Sequence, residues 1–316
     1  MWWIARLSVA MAADAAGARL DEAEPPSPEE LDAARRFDGK PCNPAWSWAF
    51  PGVGRFCVDR PAEGAALGAV AVAELSAAAA LELDGYDGST GTIPLTGLQD
   101  VYILSLGMGS IDQALAHRRP YTPREDLGRI VSAPFRPSVL AEPRVWIAGG
   151  LLTVGAIGLT LAVDGAAIDP GSRPRLFGHD VDPAVAYPAA AAIDVGLFVQ
   201  VAAAEEVVFR GVLQSTLSRA TDPTAGWLLA SGIFGAFHLT NLLAIPEPDD
   251  RLTYLAVSIP YITLTGTVLG HVYRSSGYRL GPPVAIHFWY DALLGGLAFA
   301  LDPADNPFSA RVAFAF

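Results

Sequence analysis

Apolar residues in this chain come in long unbroken runs rather than alternating with polar ones. No Asp, Glu, Lys or Arg interrupts Val145–Val163, Pro223–Pro246 or Leu252–Tyr273. Leu280–Leu301 holds a single acid, Asp291, and Ala184–Ala204 holds Asp194 before running into Glu205 and Glu206. The hydrocarbon core of a bilayer takes about 20 apolar residues of helix, so each run reads as a transmembrane helix. Two weaker runs lie upstream: Gly64–Leu81 with Glu74 inside it, and Gly97–Ala114 with Asp100 and Asp112. These also read as spans, with helices of a soluble region as the alternative. The fold class expected is all-α: a polytopic membrane helical bundle of about seven transmembrane helices, with eight as the alternative.

The loops between the runs alternate in charge. Leu115–Arg144 carries Arg118, Arg119, Arg124, Arg129, Arg136 and Arg144, and later turns carry Arg219, Arg274 and Arg279. The intervening loops are acidic, with Asp164, Asp169, Asp180 and Asp182 in one and Glu247, Asp249 and Asp250 in another. Excess arginine marks the cytoplasmic side. The expected topology is therefore seven spans, N-terminus in and C-terminus out. Met1–Ala18 is too short and broken to span, and no basic residue precedes its apolar part, so it reads as a tail rather than a signal peptide. Asp21–Glu30, with Pro25, Pro26 and Pro28, reads as a linker.

Composition narrows the class. Of 316 residues, 52% are hydrophobic and 17% charged, against about 25% charged in soluble domains. The mean hydropathy is +0.33. An ordinary cytosolic enzyme, a disordered protein and a secreted disulfide scaffold all fit poorly. A net charge of −12 argues against a nucleic-acid partner. One lysine against twenty arginines, together with alanine runs, reads as GC-rich codon usage. The location expected is a bacterial inner membrane. Cys42 and Cys57 read as two unpaired thiols if their segment is cytoplasmic, with a disulfide as the alternative.

Ionisable side chains within spans are costly, and they mark function more often than chance. The C-terminal half concentrates them in Ala202-Ala-Ala-Glu-Glu-Val-Val-Phe-Arg210, Phe234-Gly-Ala-Phe-His238 and His287-Phe-Trp-Tyr-Asp291. Glu206 and Arg210 are four apart, as are Phe234 and His238, and His287 and Asp291, so each pair shares a helix face. Glu205 precedes Thr221 by sixteen residues and His238 follows it by seventeen. Two antiparallel helices joined there bring both to similar depth, about 25 Å from the turn. His287 lies only a few residues into its run, so its depth matches less well unless the helices start unequally.

Glu-Glu-x-x-x-Arg, then Phe-x-x-x-His, then His-x-x-x-Asn/Asp on successive apolar helices resembles the signature of the CPBP family, the CAAX prenyl endoproteases and their Abi-like bacterial relatives. The resemblance covers roughly Ala184–Leu301. It implies an intramembrane endopeptidase acting on a membrane-associated protein or peptide. On it, Glu205 is the base that activates water, His238 helps to hold that water, and His287 serves the oxyanion, helped by the residue four on. Glu206, Arg210 and Phe234 support them. Position 291 is Asp where the prenyl endoproteases usually have Asn. Ionised Asp cannot donate to an oxyanion, so orienting His287 suits Asp291 better.

Two mechanisms stay open: metal-independent glutamate catalysis, and zinc held by Glu205, His238, His287 and Asp291. No His-Glu-x-x-His pair is present. The competing functions are a non-catalytic scaffold or immunity protein on the same fold, and a proton-coupled transporter. No internal repeat supports the transporter. The expected division is 1–62, an N-terminal cytoplasmic tail and linker; 63–144, an accessory membrane hairpin with a basic loop; 145–301, the protease-like core; and 302–316, a C-terminal tail.

Overall fold

The computed structural model describes residues 46–83, 92–163, 168–243, 245 and 247–304. The expectations for residues 1–45 and for most of the C-terminal tail fall outside them. The long helices are α1 (Pro61–Leu83), α2 (Thr92–Ala116), α3 (Pro143–Val163), α4 (Pro183–Glu205), α5 (Pro223–Phe237), α6 (Ile259–Ser275) and α7 (Gly281–Leu301). Helix α4 continues through a π-helical stretch, Glu206–Gln214, and Ser215–Ala220, giving a rod of 38 residues. Pro248–Thr253 and a second π-helical stretch, Tyr254–Ser258, lead directly into α6.

Six of these helical segments are long and apolar enough to cross a membrane. Helix α2 is not among them. It carries the buried acids Asp100 and Asp112, yet it packs between α1 and the α4 rod as part of the bundle. The only strands among the described residues, Arg175–Leu176 and His179–Asp180, form a two-residue hairpin. Its turn puts Phe177 and Gly178 at φ 48 and 81, the double left-handed conformation of a tight hairpin turn.

Close backbone approach sets the packing. The carbonyls of Gly266 and Gly270 on α6 accept hydrogen bonds from Arg210 (3.1 Å) and Gln214 (3.0 Å) of the rod. On α5, a Cβ at Gly235 would collide with Thr263 Oγ1 of α6. Small residues bring membrane helices near enough for such contacts. Helix α2 runs parallel to the rod: Gly107 faces Val207, and Ile111 faces Gly211.

Buried ions brace the entrance to α1. Arg55, fully buried, pairs with Asp112 of α2 and with Glu63. Cys57 beside it is disulfide-bonded, so the expectation of two unpaired thiols does not hold. That expectation came from the redox state of a compartment, which says nothing about how close the fold brings two sulfurs.

The arginine-rich loops gather at one end of the bundle and tie it together. Arg219 donates to Pro120 O, Arg144 to Ser275 O and Arg279 to Glu142. Glu125 caps α7 from there, accepting from Leu280 N at 2.6 Å and Gly281 N at 2.8 Å. A carboxylate at a helix N-terminus satisfies donors that lack intrahelical partners.

Burial pushes the Glu125 carboxyl above its usual value, although these two hydrogen bonds pull it down. The folded state then holds the proton to higher pH than the unfolded chain. Stability attributable to Glu125 is present at low pH and falls as pH rises through that window, from about 4.5 upward. Glu125→Gln is expected to flatten that slope, and Glu125→Ala to cost about 0.5–2 kcal/mol. Thermal unfolding of the detergent-solubilised chain between pH 4.5 and 8 measures both.

Candidate functional site

Three helices bring the polar residues of the C-terminal half together. Glu205 ends the regular part of α4, and the π-helical stretch begins at Glu206. Single π turns inside helices recur at functional sites because the widened turn re-aims side chains. His238 caps α5 and opens a 3₁₀ turn, His238–Leu243, so the run Pro223–Pro246 is not one continuous helix. His287 and Asp291 lie on α7.

Unequal helix starts bring His287 to the depth of Glu205. Leu280, just ahead of α7, packs where a side chain at Gly211 would lie. Six residues back along the rod from Gly211 is Glu205; six residues into α7 from Gly281 is His287. The helices run antiparallel, so the two side chains meet.

His287 is the hub. Its Nδ1 lies 2.8 Å from Glu206 Oε1, its Nε2 3.2 Å from Asp291 Oδ2, and the same Nε2 3.8 Å from Glu205 Oε2. Both ring nitrogens face carboxylate oxygens, an arrangement in which both can donate only as the imidazolium. Glu206 has no exposed surface, and its Oε1 also accepts from Arg210 Nη1 at 2.8 Å. Arg210 in turn spreads over the Phe234 ring, 4.3 Å from its centroid. Phe234 packs edge-on to Phe209 and lies against His238.

His238 donates from Nδ1 to Phe234 O at 2.8 Å, because a carbonyl oxygen can only accept. Its Nε2 is left facing Glu205 Oε1 at 4.0 Å. The Tyr254 hydroxyl donates to His238 O and accepts from Asn241. Glu205 is only partly buried, and its Oε2 has no hydrogen-bond partner among the described residues.

Every site residue anticipated from the sequence therefore lies in one cluster: Glu205, His238, His287 and Asp291 face a common space, with Glu206, Arg210 and Phe234 behind them. Asp194 lies elsewhere, buried against α7 at Gly295, about three turns from Glu205. Two contributors carried no usable signal in the sequence. Asp100 of α2 is buried and interacts electrostatically with Glu205 and His287. Tyr254 comes from the second π-helical stretch. Neither belongs to a motif, and only tertiary packing brings them in.

Among the described residues, no group of three or more His, Cys, Asp or Glu side chains is arranged to hold a metal ion.

The sequence pattern of one family, described as type II CAAX prenyl endopeptidase Rce1-like, matches residues 188–293. That segment contains all seven residues of the cluster. No curated protein and no solved structure matches the chain.

Removing Arg210 while keeping Glu206 leaves a fully buried carboxylate with one cation fewer. Arg210→Met is expected to destabilise the protein by about 3–5 kcal/mol, and adding Glu206→Gln to recover much of the loss. Denaturation midpoints of the two variants in detergent check the ordering.

Proposed function

We propose that this membrane protein hydrolyses a peptide bond of a membrane-associated protein or peptide at Glu205, a reading supported by the match of residues 188–293 to the Rce1-like type II CAAX prenyl endopeptidase pattern. The observation carrying the proposal is the pair of gaps around the Glu205 carboxylate, 4.0 Å to His238 Nε2 and 3.8 Å to His287 Nε2. Both exceed a hydrogen bond and fall in the range that a bridging water spans.

The chemistry follows from the donors and acceptors. With Nδ1–H engaged by Phe234 O, neutral His238 presents Nε2 as an acceptor. A water between them gives one hydrogen to Glu205 and the other to His238, which leaves an oxygen lone pair free to attack. Glu205 takes the proton as the water oxygen bonds to the scissile carbonyl carbon. The carbonyl oxygen becomes an oxyanion and accepts the His287 Nε2–H, which it shares with Asp291. Asp291 and Glu206 hold that imidazolium in place, and Arg210 offsets the charge of Glu206. Glu205 then passes its proton to the leaving nitrogen as the C–N bond breaks, and its carboxylate is restored. Residues 188–293 supply every group in this sequence of steps.

The reaction as proposed uses no metal. The family's name makes a prenylated CAAX peptide the first substrate to try. Glu205→Gln is expected to lower kcat/KM by about 10²–10⁴, and a chelator to leave the wild-type rate unchanged. Wild-type activity in Glu205→Gln contradicts the role of Glu205, and loss of activity with chelator that zinc restores contradicts the metal-free step.

A further inference from the structure

A polar cavity of about 490 Å³ lies at the arginine-rich end of the bundle, between the end of α2 and the end of the α4 rod. Ser110, Gln113, His117, Arg119, Thr216 and Arg219 supply its polar wall, and no acidic side chain lines it. Thr216 lies eleven residues beyond Glu205, about 16 Å along the rod, so the cavity is separate from the candidate active site.

The backbone builds this cavity. Arg118 and Tyr121 adopt left-handed conformations, at φ 51 and 61. They turn the chain back over the end of α2, where Arg119 N bonds to Ala114 O. Arg219 holds this turn from the rod: Nη1 donates to Pro120 O (3.1 Å) and Thr122 Oγ1 (3.4 Å), and Nη2 to Thr216 Oγ1 (2.7 Å). Among the described residues these bonds leave the Arg219 Nε–H and one Nη2 hydrogen without a partner. Arg119 projects from the turn with its side chain exposed.

The charges are unbalanced here, while several arginines nearby are paired. Arg129 faces Asp126, while Arg144 and Arg279 share Glu142. Arg119 and Arg219 instead lie close enough to repel each other, with no carboxylate in the wall. Two guanidiniums over a concave polar surface favour an anion that each can hold through paired N–H groups, the geometry of a phosphate.

Depth identifies the source of that phosphate. The rod of 38 residues is about 57 Å long, well beyond the roughly 30 Å hydrocarbon core. The rod is therefore long enough for its arginine-bearing last turn, beside the end of α2, to lie at the headgroup layer. Basic pockets between helices at this level suit anionic headgroups.

We propose that this cavity binds the phosphate of an anionic phospholipid headgroup. The proposal does not depend on peptidase activity. The test is thermal unfolding of the full chain in a neutral detergent, titrated with short-chain phosphatidylglycerol, with phosphatidylcholine of the same chain length, or with inorganic phosphate. Phosphatidylglycerol is expected to raise the midpoint saturably and phosphatidylcholine not to. Arg119→Gln is expected to raise the half-saturating concentration roughly tenfold, His117→Ala to raise it less, and Arg119→Lys, which keeps the charge but loses the paired N–H groups, to fall between Arg119→Gln and wild type. Arg119 and His117 are exposed, so the variants should unfold like wild type without lipid. Equal stabilisation by both lipids, or a phosphatidylglycerol shift unchanged in Arg119→Gln, overturns the proposal. A shift with inorganic phosphate as large as with phosphatidylglycerol overturns the assignment to lipid.

Discussion

The rest of the site depends on the clamp on His287. One imidazole lies between Glu206, 2.8 Å from Nδ1, and Asp291, 3.2 Å from Nε2, within a bundle whose outer surface is apolar. Three carboxylates, Glu205, Glu206 and Asp291, share this space with one guanidinium and that ring. Burying so many charges is costly unless each finds a partner. Glu206 finds two, and it must be buried for the ring to be held. Arg210 then serves three partners at once: the Glu206 carboxylate, the Gly266 carbonyl and the Phe234 ring.

The clamp also explains why the surrounding helices look as they do. Gln214 reaches the backbone of α6 where Gly270 presents no side chain, and Phe234, which lies under the Arg210 guanidinium, fits against α6 because Gly266 has none. Helix α7 starts deep, with Leu280 against Gly211, so that a histidine six residues into the helix meets a glutamate in mid-rod. Glu125, from the arginine-rich loop, fixes that start. A residue far from the motifs therefore sets the height of a residue at the centre of the site. Helix α2, outside the family segment, closes the cluster from the side with Asp100.

Much of this was legible in the sequence, for identifiable reasons. Uncharged runs of bilayer length gave the spans, since few other constraints produce them. The count of residues on either side of Thr221 placed Glu205 and His238 level, and their nitrogen and oxygen stand 4.0 Å apart. Spacing of four paired Glu206 with Arg210, and His287 with Asp291. What depends on tertiary packing was not legible. The depth of His287 rests on where α7 begins, which Glu125 and Gly211 set through contacts distant in sequence. Asp100 looked like a flaw in a weak span. The break at His238 lay hidden within an apolar run, and the bonded state of Cys57 depends on proximity that redox reasoning does not address. The cavity at Arg119 and Arg219 was hidden because its arginines are also the ones that report topology.

The account stands on Glu205 activating water against a peptide bond in the membrane. The most direct measurement compares the membrane proteomes of cells carrying the wild-type chain and Glu205→Gln at equal protein levels, reading newly formed peptide termini. The account predicts at least one membrane-associated fragment present with wild type and absent with Glu205→Gln, where its uncleaved precursor accumulates. Identical sets of termini in the two strains would contradict it.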